Sequence, residues 1–146
     1  IFIGTKISTK NFSANDIGRT EARFWINNTI SKNEKLLILG AEAGTYFMTG
    51  RKSACRLIYQ YPILQTWSKQ KEFLAEFGKC YFLSSPDLVI DAMKTDKEGN
   101  SSFMNNINDD PQHPKALESI WNDLDINYKK VGILPNSGWE VYRKIK

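Results

Sequence analysis

Leu36-Leu37-Ile38-Leu39, an unbroken aliphatic run between Lys35 and Gly40, constrains this 146-residue sequence more than any other feature. Side chains alternate across a β-strand, so a strand without a polar position must be covered on both faces. The rest of the chain must then supply helices for two sides of a sheet.

Helical patterns flank the run. Ser13 to Asp16 has the S-x-x-D form of a helix start, and Ile17, Phe24 and Trp25 within a polar, Arg- and Glu-rich remainder predict a helix over about residues 15–30. A short helix is expected from Ala41 to Thr49, stopped by Gly50. Arg56 to Tyr61 reads as a second strand ended by Pro62. Phe73, Leu74, Phe77, Cys80 and Tyr81 lie on one face of a helix over about 69–84, which Pro86 ends. Asp87-Leu88-Val89-Ile90-Asp91 is a further short buried strand. A polar stretch over 94–113 is longer than ordinary connections, and loops of that length are usually functional or mobile. Pro114 suits a first helical position, and Leu117, Ile120, Trp121 and Leu124 form a second apolar stripe. The runs Tyr128–Leu134 and Trp139–Ile145 around Pro135-Asn136-Ser137-Gly138 predict a terminal hairpin. This β-α alternation predicts a single α/β domain over 1–146. The expected form is a three-layer, Rossmann-like sandwich with a mainly parallel sheet and a C-terminal antiparallel hairpin.

Composition removes several chemistries. The single histidine, His113, excludes multi-histidine zinc sites and HExxH proteases, and its Pro-flanked setting argues against a Ser-His-Asp triad. No metal and no cofactor is expected. No G-x-x-x-x-G-K-[ST] occurs, so a P-loop is excluded, and Gly40-Ala41-Glu42-Ala43-Gly44 is not a dinucleotide fingerprint. Twenty basic against sixteen acidic residues give +4. With both signs interspersed, that argues only weakly for an anionic partner, and nucleic acid is not expected. Cys55 and Cys80 form neither a CxxC motif nor a disulfide framework. They read as small core residues that could also pair in an oxidising compartment. No stretch approaches the ~18 apolar residues of a membrane span.

Ligands of open α/β sheets sit beyond the carboxyl ends of the strands, which directs attention to the Gly40–Gly44 turn. Glu42, Arg51 and Arg56 are its polar candidates. They read either as a buried Arg–Glu pair that fixes the loop or as an arginine fork for phosphate or carboxylate. Tyr46 and Tyr59, with Phe47, Tyr61 and Trp67, read as core aromatics or as faces for stacking on sugar rings. Asp87 and Asp91 would lie roughly 13 Å apart along an extended strand, too far for the ~5–9 Å carboxylate pair of a glycoside hydrolase. Asp109-Asp110 reads as a solvated turn.

One segment carries more. Leu36-Leu37-Ile38-Leu39-Gly40-Ala41-Glu42, then Thr45-Tyr46-Phe47-Met48-Thr49-Gly50-Arg51-Lys52, then Cys55-Arg56-Leu57-Ile58-Tyr59-Gln60-Tyr61-Pro62, resembles a stretch of bacterial polytopic glycosyltransferases. These are the superfamily of protein O-mannosyltransferases and lipid A aminoarabinose transferases. Pro86-Asp87-Leu88-Val89-Ile90-Asp91 resembles the family's next strand, and the likeness covers roughly 15–93. Ala41 departs from the family's pattern. The resemblance implies a polyprenyl-phosphate sugar donor, a cell-envelope acceptor and transfer on the outer, periplasmic face of the inner membrane. It implies catalytic carboxylates outside this chain and a membrane-embedded remainder of the same polypeptide as partner. This chain would be the soluble C-terminal extracytoplasmic domain, with residues 1–14 proximal to the membrane. The absence of an initiator Met before Ile1 accords with an excised or processed piece. Its expected role is to cap the active site or position the acceptor through Glu42, Arg51, Arg56, Tyr46 and Tyr59. The rival readings are a stand-alone Rossmann-like ligand-binding or interaction module, and a small enzyme with its site at the Gly40–Gly44 turn.

Overall fold

The computed structural model describes residues 14–40, 42–58, 60, 63, 68–92 and 115–146. In chain order their elements are α1 (Ala14–Thr29), β1 (Leu36–Leu39), α2 (Ala43–Thr49), α3 (Gln70–Ser84), β2 (Leu88–Asp91), α4 (Lys115–Asn127), β3 (Tyr128–Ile133) and β4 (Glu140–Lys144). The chain is mixed α/β. Ser13, the 94–113 stretch with His113 and Asp109-Asp110, the segment 1–13, Tyr59, Tyr61, Pro62 and Trp67 lie outside the described residues.

The strands form one sheet in the order β1-β2-β4-β3. Every residue of β1 and β2 is buried, as the aliphatic runs require. The pleat divides their side chains between two cores. Leu37, Leu39 and Val89 cluster with Leu74, Phe77 and Tyr81 of α3 and with Ile120 and Leu124 of α4. Leu36, Ile38, Leu88 and Ile90 cluster with Ala22 and Ile26 of α1, with Tyr46, and with Trp139 and Val141. Two helix ends close on left-handed residues. Gly50 ends α2 at φ 64°, a conformation glycine adopts without penalty, and Ser85 ends α3 at φ 47° just before Pro86.

Two expectations are corrected. The sheet is not mainly parallel: β1 and β2 pair parallel, but β2 with β4 and β4 with β3 are antiparallel. The hairpin does not merely flank the sheet; it supplies half of its strands, with β4 inserted beside β2. Second, Arg56–Tyr61 is not a strand at its described positions 56–58 and 60. Only Ser53 bridges to Leu36. Beyond that point, side chains occupy the open edge of β1. The Gln60 amide accepts the Gly40 N–H at 2.5 Å and donates to the Ile38 carbonyl at 3.2 Å. The Tyr46 hydroxyl accepts the Ile38 N–H at 2.6 Å. With those groups satisfied, a neighbouring strand has nothing left to pair, and the edge is closed against other chains.

The hairpin is held by α1. The Glu21 carboxylate accepts the backbone N–H groups of Asn136 at 3.0 Å and Ser137 at 3.1 Å, and also the Asn136 amide and the Ser137 hydroxyl. Successive N–H groups converging on one carboxylate make an anion-binding nest. Alongside it, a Cβ on Gly18 would lie 2.6 Å from the Trp139 indole, so only glycine lets the helix approach this closely.

Candidate functional site

The stretch from α1 through β1 and α2 to Cys55 forms one corner of the molecule. Gly40 turns the chain out of β1 at φ 127°, a value other residues rarely adopt. Glu42 follows at the N-cap position of α2, without a side-chain bond to the N–H groups of the helix. Its carboxylate is buried and receives the Arg19 Nε–H at 2.6 Å. A buried Arg–Glu pair therefore exists, but its arginine comes from α1, and neither Arg51 nor Arg56 supplies it.

Arg51 lies at the other end of β1. Its guanidinium donates to the Ile30 carbonyl at 2.7 Å and the Ser31 carbonyl at 2.6 Å, just past the end of α1. A fork of this kind satisfies carbonyls that a helix end leaves open and places positive charge against its negative pole. Arg56 is exposed beside Cys55 and has no ion pair among the described residues. Tyr46 is buried, and its hydroxyl receives the Ser53 hydroxyl at 3.2 Å besides the Ile38 N–H. Burial pushes its phenol up to about 12. Phe47, its neighbour, is 89% exposed. The structure thus brings Tyr46 and Arg51 into the scaffold of the corner, keeps Glu42 apart from Arg51, and leaves Tyr59 outside the described residues.

Cys55 and Cys80 are joined in a disulfide, with Cα atoms 5.7 Å apart. It ties the segment that follows Arg51 to α3, so the cysteines are a cross-link as well as core residues.

The sheet has two chemically different ends. At the carboxyl ends of β1 and β2, Asp91 and Glu140 are cross-strand partners in register, both buried. Glu140 receives the Lys130 ammonium at 2.7 Å and the Tyr142 hydroxyl. Burial and the Glu140 carboxylate raise the Tyr142 phenol above its ordinary range, with Asp91 and Asp125 adding to the effect. Asp87 sits at the opposite end of β2, accepting the Lys35 N–H at 2.8 Å, so the two aspartates that bracket the strand do not meet. The pairing with Glu140 escapes sequence reasoning. An aspartate closing Leu-Val-Ile-Asp is a visible anomaly, but its partner depends on which strand is inserted beside β2.

At the amino ends of the strands lies an open cleft of about 710 Å³, whose lining includes Lys32, Lys35, Arg51 and Lys52 together with Glu34. Glu34 is already engaged by the Arg143 guanidinium. The Lys35 ammonium donates to the Ser84 carbonyl at the end of α3, 2.9 Å away. Lys32 and Lys52 have no ion pair among the described residues.

Among the described residues no group of three or more His, Cys, Asp and Glu could hold a metal ion, and no helix is long and apolar enough to cross a membrane. Comparison with protein-family models, with curated proteins and with solved structures found no match.

Proposed function

We propose that this chain is the extracytoplasmic C-terminal domain of a bacterial polytopic glycosyltransferase of the protein O-mannosyltransferase and aminoarabinose transferase-like superfamily. It serves there as a cap that positions the acceptor, while transfer from the polyprenyl-phosphate donor happens in the membrane-embedded remainder of the same polypeptide. Its fold is a Rossmann-like three-layer sandwich. The two cores, one shared with α3 and α4 and the other with α1, support that description.

The observation that carries the reading is the work done by the strand–helix–arginine signature. Tyr46 holds the edge of β1, Glu42 binds Arg19 and Arg51 caps α1. Residues committed in this way suit a fold-defining motif rather than groups that form or break bonds. The Cys55–Cys80 disulfide supports the location, because such bonds persist in oxidising compartments such as the bacterial periplasm.

The test compares this chain alone with the full reading frame, each given polyprenyl-phosphate sugars and envelope acceptors. Transfer is expected only from the longer polypeptide, and turnover by the chain alone overturns the proposal. In intact cells Cys55 and Cys80 should resist a thiol-reactive mass tag until a reductant is added. Tagging without reduction would contradict the periplasmic location.

A further inference from the structure

We propose that the cleft at the amino end of β1 is a binding site for a phosphate group, either a phosphomonoester or a diphosphate. The inference rests on the cleft alone and does not depend on the function proposed above.

Two segments that are distant in sequence meet there: the stretch from the end of α1 into β1, and the residues from the end of α2 onward. Each brings two cations, Lys32 and Lys35 from the first and Arg51 and Lys52 from the second. Part of this charge serves the fold. Arg51 answers the carbonyls of Ile30 and Ser31, and Lys35 answers that of Ser84. The one carboxylate on the lining, Glu34, is taken up by Arg143 from β4 and by the Ser31 N–H at 2.8 Å. Lys32 and Lys52 are left over. Both are exposed, neither has an ion pair among the described residues, and they lie on opposite connections of one concave surface.

Like charges held together on a concave wall raise the local potential and attract anions. Ammonium groups bind phosphate as point charges, and an ammonium has three protons to give. Lys35 spends one of them on Ser84 and keeps the others. A phosphate group, with several oxygens and more than one negative charge near neutral pH, satisfies two or three such donors at once. A carboxylate accepts several donors too, as Glu21 does at the hairpin, but it brings only one negative charge to this group of cations. The volume of about 710 Å³ leaves room for more than a bare phosphate, so the group can be the end of a larger molecule.

The source of that phosphate, a lipid headgroup or a soluble compound, is separated by experiment. The isotope-labelled chain is titrated with inorganic phosphate and with pyrophosphate at constant ionic strength, and amide shifts are followed by NMR. Saturable shifts are expected at residues 31–35 and 50–54, with a dissociation constant on the order of 1 mM. Pyrophosphate should bind tighter than phosphate. The double variant Lys32→Ala, Lys52→Ala should weaken pyrophosphate roughly three- to tenfold, as two exposed ion pairs would. Its melting temperature should stay unchanged, because neither side chain supports the fold. Flotation with vesicles of phosphatidic acid in phosphatidylcholine, competed by pyrophosphate, identifies a lipid headgroup. Flotation absent with shifts retained identifies a soluble ligand. Shifts that do not saturate, or that are as large in the double variant, overturn the proposal and leave these cations serving the helix ends only.

Discussion

Replacing Tyr46 by Phe removes one oxygen from the corner and leaves the ring in place. That oxygen accepts the Ile38 N–H at 2.6 Å and the Ser53 hydroxyl at 3.2 Å, on a residue only 5% exposed. No cavity forms, so the cost is that of the stranded donors. The half-buried Ser53 hydroxyl can rotate to another acceptor, whereas the Ile38 N–H is fixed by its strand and faces a ring edge. One buried backbone donor left without a partner costs about 1–2 kcal/mol. For a chain of this length each kcal/mol moves the melting midpoint by about 4 °C, so Tyr46→Phe should melt roughly 4–8 °C lower. Circular dichroism gives the midpoint, and amide hydrogen exchange localises the loss. The Ile38 amide should exchange faster while the amide of Val89, in the middle of β2, changes only with global stability. Phe47→Ser, at the exposed neighbouring position, should stay within about 0.5 kcal/mol of the parent. A Tyr46→Phe variant that melts with the parent and keeps its Ile38 amide protected would refute the claim that this hydroxyl closes the edge of β1.

The same phenol predicts a response to alkali. Burial raises Tyr46 from 10.0 to about 12 and also raises Tyr81, Tyr128 and Tyr142, so the folded chain holds these protons to higher pH than the unfolded chain does. Their contribution to stability is complete below pH 10, and that of Tyr46 is lost between pH 10 and about 12; denaturant midpoints should fall across that interval, less steeply in Tyr46→Phe. Glu21→Ala, which empties the nest at the hairpin turn, should cost about 2–3 kcal/mol and deprotect the Asn136 and Ser137 amides first. Gly18→Ala forces a methyl against the Trp139 indole and should cost about 1–3 kcal/mol, read as a lower midpoint and a changed tryptophan emission. Reducing Cys55–Cys80, 25 residues apart, should cost about 3–4 kcal/mol by chain entropy, measured as the midpoint difference with and without reductant.

The legible parts of the fold are those decided by local chemistry. The aliphatic runs at 36–39 and 88–90 can only be strands covered on both faces. The Phe73–Tyr81 and Ile120–Leu124 spacings can only be helices with one buried side, and Pro-Asn-Ser-Gly marks the hairpin. The predicted strand over 56–61 fails at its described positions 56–58 and 60 for a reason that composition hides. Leu57, Ile58 and the tyrosines have strand chemistry, but the Gln60 amide meets the β1 edge in place of a backbone. The site was less legible because its partners are remote. Arg19 reaches Glu42 across 23 residues, Glu21 reaches Ser137 across 116, and Asp91 meets Glu140 only because β4 lies beside β2. No local period or motif encodes such pairings; they follow from topology.

That topology also explains why Arg51 and Lys35 sit where they do. Because β3 runs in the same direction as β1 and β2, helices α1, α3 and α4 hand over to those strands at one end of the sheet, and α2 ends beside the Ser53–Leu36 bridge at the same end. Helix ends there present carbonyls and about half a negative charge each. Arg51 and Lys35 bond directly to carbonyls at or just past the ends of α1 and α3, while Glu42, at the N-cap position of α2 at the opposite end, gives its carboxylate to Arg19. Backbone polarity alone calls for some cations where the strands begin, yet Lys32 and Lys52 touch no helix carbonyl among the described residues. Charge beyond what the helix ends use is what makes the cleft a place for an anion from outside the chain.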